Sequence, residues 1–301
     1  MKSTLSLLPF EPADGAGMLR RPARLGALLG EVGKYGRIAR IALVERLAYR
    51  LDFILSTLLR FLPMLTTILL WLAVYAGAGQ LSGGQLGGFS LKEMISYLLL
   101  VHISRMFSSM PGLAQGIARD IREGNLKKYL LQPISILPYL LSYRAAHKAA
   151  YITMTAVPYA LLFFLCRDFF AGWPSAPVLA AYLLSLLLGF LIGFFLEAAL
   201  GMLGFWFLEV SSFLYVMGTL TFFLSGHMFP FDLLPAVFAQ VLKALPFQYL
   251  AYFPAAIFLD KVPQEALLSA LMTEAVWALA LALLASWLYR CGLRRYSAYG
   301  G

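Results

Sequence analysis

Few side chains in this sequence could do chemistry, and most of those sit where a charge is expensive. Arg60, His102, Arg105, Glu197 and Glu274 each lie inside a long apolar run. The three histidines, His102, His147 and His227, fall on different segments without metal-ligand spacing, so no metal site is expected. No nucleophile stands with a base and an orienting partner. A phosphate-binding loop of the form Gly-x-x-x-x-Gly-Lys-Ser/Thr is also missing, since Gly33-Lys34 is followed by Tyr35. No enzymatic activity and no bound cofactor are therefore expected of this chain alone. What buried ions can do is pair. An ionisable group at mid-bilayer costs roughly 2.5 to 3.5 kcal/mol, which predicts that Glu197 pairs with Arg60 or Arg105. The arginines have a second option, snorkelling to the nearer surface, which a short carboxylate lacks. Glu274 and His102 are the polar groups expected in the other half of the membrane.

Positioning these groups falls to the apolar runs. The chain is 61% hydrophobic and 13% charged, against roughly 25% charged in a soluble domain. Residues 53–76, 91–112, 149–166, 177–207, 211–228 and 266–289 are each long enough to cross a bilayer. The expected fold class is an all-α membrane protein of about six spans. Of the 24 Lys and Arg, Arg60 and Arg105 lie within spans, and all the others but Lys92, Arg167, Lys243 and Lys261 fall on one side of such an arrangement. That side is then cytoplasmic, with both termini. The net charge of +9 thus reports topology, and no nucleic acid is expected as a partner. Cys166 and Cys291 end up on opposite faces, too far apart for a disulfide. The first ten residues are too weakly apolar for a cleaved leader.

The stretch 229–259 is apolar but interrupted by Pro230, Pro235, Pro246 and Pro254, with Asp232 and Lys243 among them. Proline removes backbone donors, and unsatisfied backbone is not tolerated against lipid. It reads as two short re-entrant half-helices at one membrane face, with Pro230, Asp232 and Pro235 at their turn. A seventh span here would carry Arg290, Arg294 and Arg295 outside. Residues 1–33 read as a flexible cytoplasmic segment. Residues 34–52 mix Lys34, Arg37, Arg40, Arg46 and Arg50 with aliphatics, which fits either an interfacial helix or a basic flank that sets topology. Within the loop 114–148, a charged turn stops at Gly124-Asn125, as a helix does at a glycine cap, and restarts at Leu126 until Pro133. Composition alone makes this a solvated helical hairpin.

The motifs carry more than composition does. The run Asp120-Ile-Arg-Glu-Gly-Asn-Leu-Lys-Lys-Tyr-Leu-Leu-Gln-Pro133 resembles the loop after the second span in permeases of type-2 ABC exporters. Ser225-Gly-His-Met-Phe-Pro-Phe-Asp-Leu-Leu-Pro235, continuing to Leu245-Pro-Phe-Gln-Tyr249 and Tyr252-Phe-Pro254, resembles that family's segment before its last span. Arg295-Tyr-Ser-Ala-Tyr-Gly-Gly301 resembles its tail. The likeness spans residues 35 to 301. It implies a six-span permease domain over 53–289 and a cytoplasmic tail over 290–301. It also implies a coupling helix in which Asp120, Ile121, Arg122, Glu123, Gly124, Asn125 and Leu126 dock on a dimer of ATPase subunits, where ATP and Mg are bound. A second related permease, or a second copy of this chain, completes the assembly in the inner membrane of a bacterium.

One motif points the wrong way. Leu81-Ser-Gly-Gly-Gln85 spells the signature sequence of ABC ATPases. That motif works only beside a phosphate loop in a soluble engine, and this copy sits in a nearly charge-free loop on the expected outer side, so it reads as coincidence. The competing functional reading is a secondary transporter driven by an ion gradient. Such proteins usually carry inverted repeats and helices broken at mid-membrane, and no repeat is visible.

Overall fold

The computed structural model describes residues 50–78, 85–132, 134–170, 172–207 and 209–296, with isolated positions between 33 and 44. The expected interfacial helix at 34–52 and the ends 1–33 and 297–301 lie largely or wholly outside the described residues. So do the side chain of Arg60, Pro133 and most of the Leu81-to-Gln85 motif.

The chain is an all-α membrane protein. In chain order the helices are α1 (Arg50–Ala78), α2 (Leu91–Ser108), α3 (Leu113–Arg122), α4 (Lys127–Leu130), α5 (Ile136–Leu165), α6 (Ala176–Met202), α7 (Ser211–Leu224), α8 (Ala236–Ala244), α9 (Tyr252–Phe258) and α10 (Gln264–Leu293). A minimal hairpin pairs β1 (Gln85–Leu86) with β2 (Phe89–Ser90). Helices over Ile136–Leu165, Ala176–Phe205 and Gln264–Leu293 are long and apolar enough to cross a membrane. Shorter apolar stretches lie at Phe61–Gly77 and Ser211–Leu224.

The faces are sorted for lipid. On α10, Leu268, Met272, Val276, Leu279, Leu283 and Trp287 are exposed at helical spacing, while Leu271, Glu274, Ala278, Leu281 and Ala285 are buried. A stripe of that size would be an association hazard in water, whereas in hydrocarbon it costs nothing. The centre of the bundle is α6, against which α10, α3, α2 and α9 all pack.

Contacts fix the helix directions. Ser108 meets Gly193 and Ala114 meets Gly201, so α2, continued by α3, runs parallel to α6. Ser185 bonds Glu274 near one end and Phe205 meets Gly292 near the other, so α10 runs the same way. By contrast, His102 stacks on Tyr159 and Arg144 bonds the Pro111 carbonyl, which makes α5 antiparallel to α2. The α1 helix is antiparallel too, since Met64 packs with Ile95 and Leu99 while Tyr75 donates to the Phe89 carbonyl at 2.8 Å. The last of this set is α7, with Leu214 beside Ala114 and Ala118 and the following Gly226 beside Tyr97.

Boundaries differ from the sequence expectation in informative ways. The third long helix begins at Ile136 rather than near 149, so the second half of the expected loop is the foot of a continuous helix. The second ends at Ser108, short of 112, because Pro111 and the left-handed Gly112 (φ 72°) turn the chain into α3. The proline-rich stretch also goes deeper than a surface cap. The Leu250 carbonyl accepts from Ser108 Oγ at 2.7 Å, and the Tyr249 carbonyl faces Gly189, about 20 Å along α6 from Ala176 at 1.5 Å per residue. Its apex, buried from Gln248 to Ile257, is satisfied by protein rather than lipid, as non-helical backbone at that depth must be.

Candidate functional site

The expected docking segment folds as a compact knob at the end of the bundle that holds the C-terminus of α6. Apolar residues at helical spacing, Leu113, Ile117 and Ile121 with Ala114 and Ala118, bury one face of α3. That face lies on α6 and on the turn after it, where Gly201 and Gly204 allow the backbones to touch. The chain reverses at Gly124, whose φ of 71° few side chains adopt cheaply. Leu126 then returns into the core, fully buried, its N–H donating to the Asp120 carbonyl at 3.1 Å.

Polar ties lock the outside. Lys128 Nζ reaches Asp120 at 3.1 Å, Asn125 donates to Glu123 at 3.0 Å, and Arg122 pairs with Glu209 at 3.1 Å. Glu209 sits in the turn between α6 and α7 and accepts the Ser211 N–H at 2.8 Å. Those hydrogen bonds from Ser211, with Arg122 behind them, hold its carboxyl below the usual range. Burial works against the Lys128 ammonium, but Asp120 and Tyr129 together outweigh it and raise the group's pKa. Tyr296, just past α10, packs edge-on against Phe205 at 6.1 Å. The knob is therefore joined to the ends of α6, α7 and α10 at once.

The expected docking residues separate into two sets. Ile121, Gly124 and Leu126 are buried, the two apolar side chains within the core that holds the knob on the bundle. Arg122 and Glu123 are exposed, and Asp120 and Asn125 are partly so. Arg119, Lys127, Leu130 and Leu131, around the expected docking residues, are exposed as well, Leu131 84% so. Sequence reasoning missed Glu209, although an acidic residue in a very short turn between two apolar runs was a signal available to find it.

The intramembrane charges are not gathered into one cluster. Glu197 lies near the Ala114 N–H and interacts with Arg105 and Arg144 through charge, without an ion pair within 4 Å among the described residues. Glu274 is fully buried on α10, where its Oε1 accepts from Ser185 Oγ at 3.1 Å and its Oε2 has no hydrogen-bond partner. His102 is elsewhere, lining a cavity with Arg105 between α1, α2 and α5. In the proline-rich stretch, Asp232 receives Lys243 at 2.9 Å and the Tyr252 hydroxyl at 2.8 Å, while Pro235 opens α8 and Pro230 precedes a single 3-10 turn. These bonds pin the two re-entrant pieces together. Among the described residues no His, Cys, Asp or Glu cluster could hold a metal.

A family model described as ABC-2 family transporter protein matches residues 61–300. No curated protein matches the chain.

Proposed function

The chain belongs to the ABC-2 transporter family, a multi-pass membrane permease, and from that premise we propose that it works in an exporter driven by a separate ATPase. The knob of α3 and α4 is the docking element. Closure of the ATPase dimer on ATP and Mg pushes the knob, and the push reaches α6, α7 and α10 through the buried face of α3, the Arg122–Glu209 pair and the Phe205–Tyr296 contact. Cargo leaves along an interface with a second permease, a relative or another copy of this chain.

The observation that carries this reading is the knob's construction. Charged and apolar groups, among them Arg119, Lys127 and Leu131, point outward, and a sealed core ties the knob to several helices. Six crossings with both termini in the cytoplasm of a bacterial cell agree with the alternating helix directions and with the basic residues near the knob. Affinity purification of the tagged chain from its native membrane in mild detergent tests the proposal. A subunit with a phosphate loop should co-purify, and its ATPase rate should change when Lys127 and Leu131 are both replaced by Asp. Ion-gradient transport by the chain reconstituted alone would refute it.

A further inference from the structure

A cavity of about 270 Å³ lies inside the bundle, lined by α1, α2, α5, the end of α7 and the turn after it. Its lining carries Arg105, His102 and His227 beside the hydroxyls of Thr67, Ser109, Tyr151 and Tyr159. Among the described lining residues there is no Asp or Glu. Glu197, whose charge Arg105 feels, is outside the lining and next to the Ala114 N–H. Arg105 is about 5 Å along α2 from its last residue, Ser108, at the knob's end of the bundle.

His227 gives an independent signal. Its ring lies 4.4 Å from that of Phe222, and its buried Nδ1 has no hydrogen-bond partner. A buried polar nitrogen is normally satisfied, so one left open on a cavity wall marks the place of a missing partner. Pro63, Met64, Leu98, Met106 and Phe222 supply the apolar part of the wall. An arginine facing a cavity whose described lining holds no carboxylate calls for an anion, since a cation at such depth is costly unless it is paired.

Size decides what kind of anion. At about 270 Å³ the cavity falls below the roughly 300 to 1,000 Å³ that enclose whole drug-sized ligands, but it holds a headgroup. Beside it, α1 and α7 pack little against each other and present Leu62, Leu69, Leu220 and Phe223 to lipid. We propose that this cavity binds the anionic headgroup of an acidic phospholipid from the surrounding bilayer, with Arg105 and His227 on the phosphate and the acyl chains lying outside between α1 and α7. Basic pockets between membrane helices are known to hold such headgroups. The inference stands apart from ATPase docking, because binding requires neither ATP nor the knob.

The test is native mass spectrometry of the detergent-purified protein, with whatever subunits accompany it, against equimolar phosphatidylglycerol and phosphatidylcholine. Phosphatidylglycerol should be retained at least tenfold more, Arg105→Gln should abolish most of that preference, and Arg105→Lys should keep part of it. Equal retention of the two lipids by the unmutated protein would overturn the proposal, whatever the variants do. So would a preference unchanged in Arg105→Gln combined with His227→Asn. Inorganic phosphate that displaces the lipid at equal concentration would also overturn it, because the acyl chains would then contribute nothing.

Discussion

A methyl group added at Gly193 tests the helix contact on which the whole arrangement leans. The Cβ of Gly193→Ala would stand 1.9 Å from the Ser108 carbonyl oxygen and 2.9 Å from its carbon. A carbon and a carbonyl oxygen tolerate no less than roughly 3.3 Å. The backbones of α2 and α6 must therefore separate by roughly 1.4 Å, with no flexible side chain to absorb the change. Overpacking of this kind costs about 1–3 kcal/mol. The same shift strains the 2.7 Å bond from Ser108 to Leu250, which contributes about 0.5–1.5 kcal/mol. The expected loss is thus about 2–4 kcal/mol. Gly218→Ala is the matched control, because nothing lies within 4 Å of its added Cβ in α7 and alanine favours helix by up to about 1 kcal/mol. Both variants would be unfolded by SDS titration from one non-ionic micelle, following tryptophan fluorescence. Coincident midpoints would refute the close approach of α2 to α6.

Other consequences follow from the knob. Arg122→Glu should leave the unfolding midpoint nearly unchanged, because the pair with Glu209 is exposed and screened by solvent, yet it should reduce ATPase stimulation. Combining it with Glu209→Arg should recover part of that loss, as read by phosphate release. Leu131→Asp should leave the unfolding midpoint unchanged while lowering the amount of ATPase subunit that co-purifies. Ile121→Ala should do the reverse, costing about 2–5 kcal/mol by opening a cavity and reducing the folded yield on size exclusion. Ser82→Arg, within the signature-like loop, should leave nucleotide turnover by the assembled complex unchanged within twofold.

Much of this was legible in the residues because lipid imposes coarse rules. Apolar length marks a candidate membrane helix, and proline density marks where one cannot run unbroken. The knob was visible for a similar reason: Gly124-Asn125 between two charged turns is local backbone chemistry. Its orientation was not visible. Ile121 and Arg122 are neighbours in the chain, but one is sealed against α6 and the other is exposed, a difference set by which face meets a helix some 80 residues away. Pairing among the buried charges was equally opaque, since depth along a helix says nothing about rotation around it. His102 and Glu274 share a depth by counting but line different parts of the bundle.

By itself, then, the order of residues determined that the chain is an all-α membrane protein and which loop carries a folded charged turn, because each depends on contiguous stretches of sequence. Tertiary structure alone decided how far the proline-rich segment descends, which residues of the knob look outward, and that Arg105 and His227 border one cavity. Those outcomes rest on contacts between distant segments, such as Gly193 beneath Ser108 or Tyr97 beside Gly226, where a fraction of an ångström of close approach settles the packing.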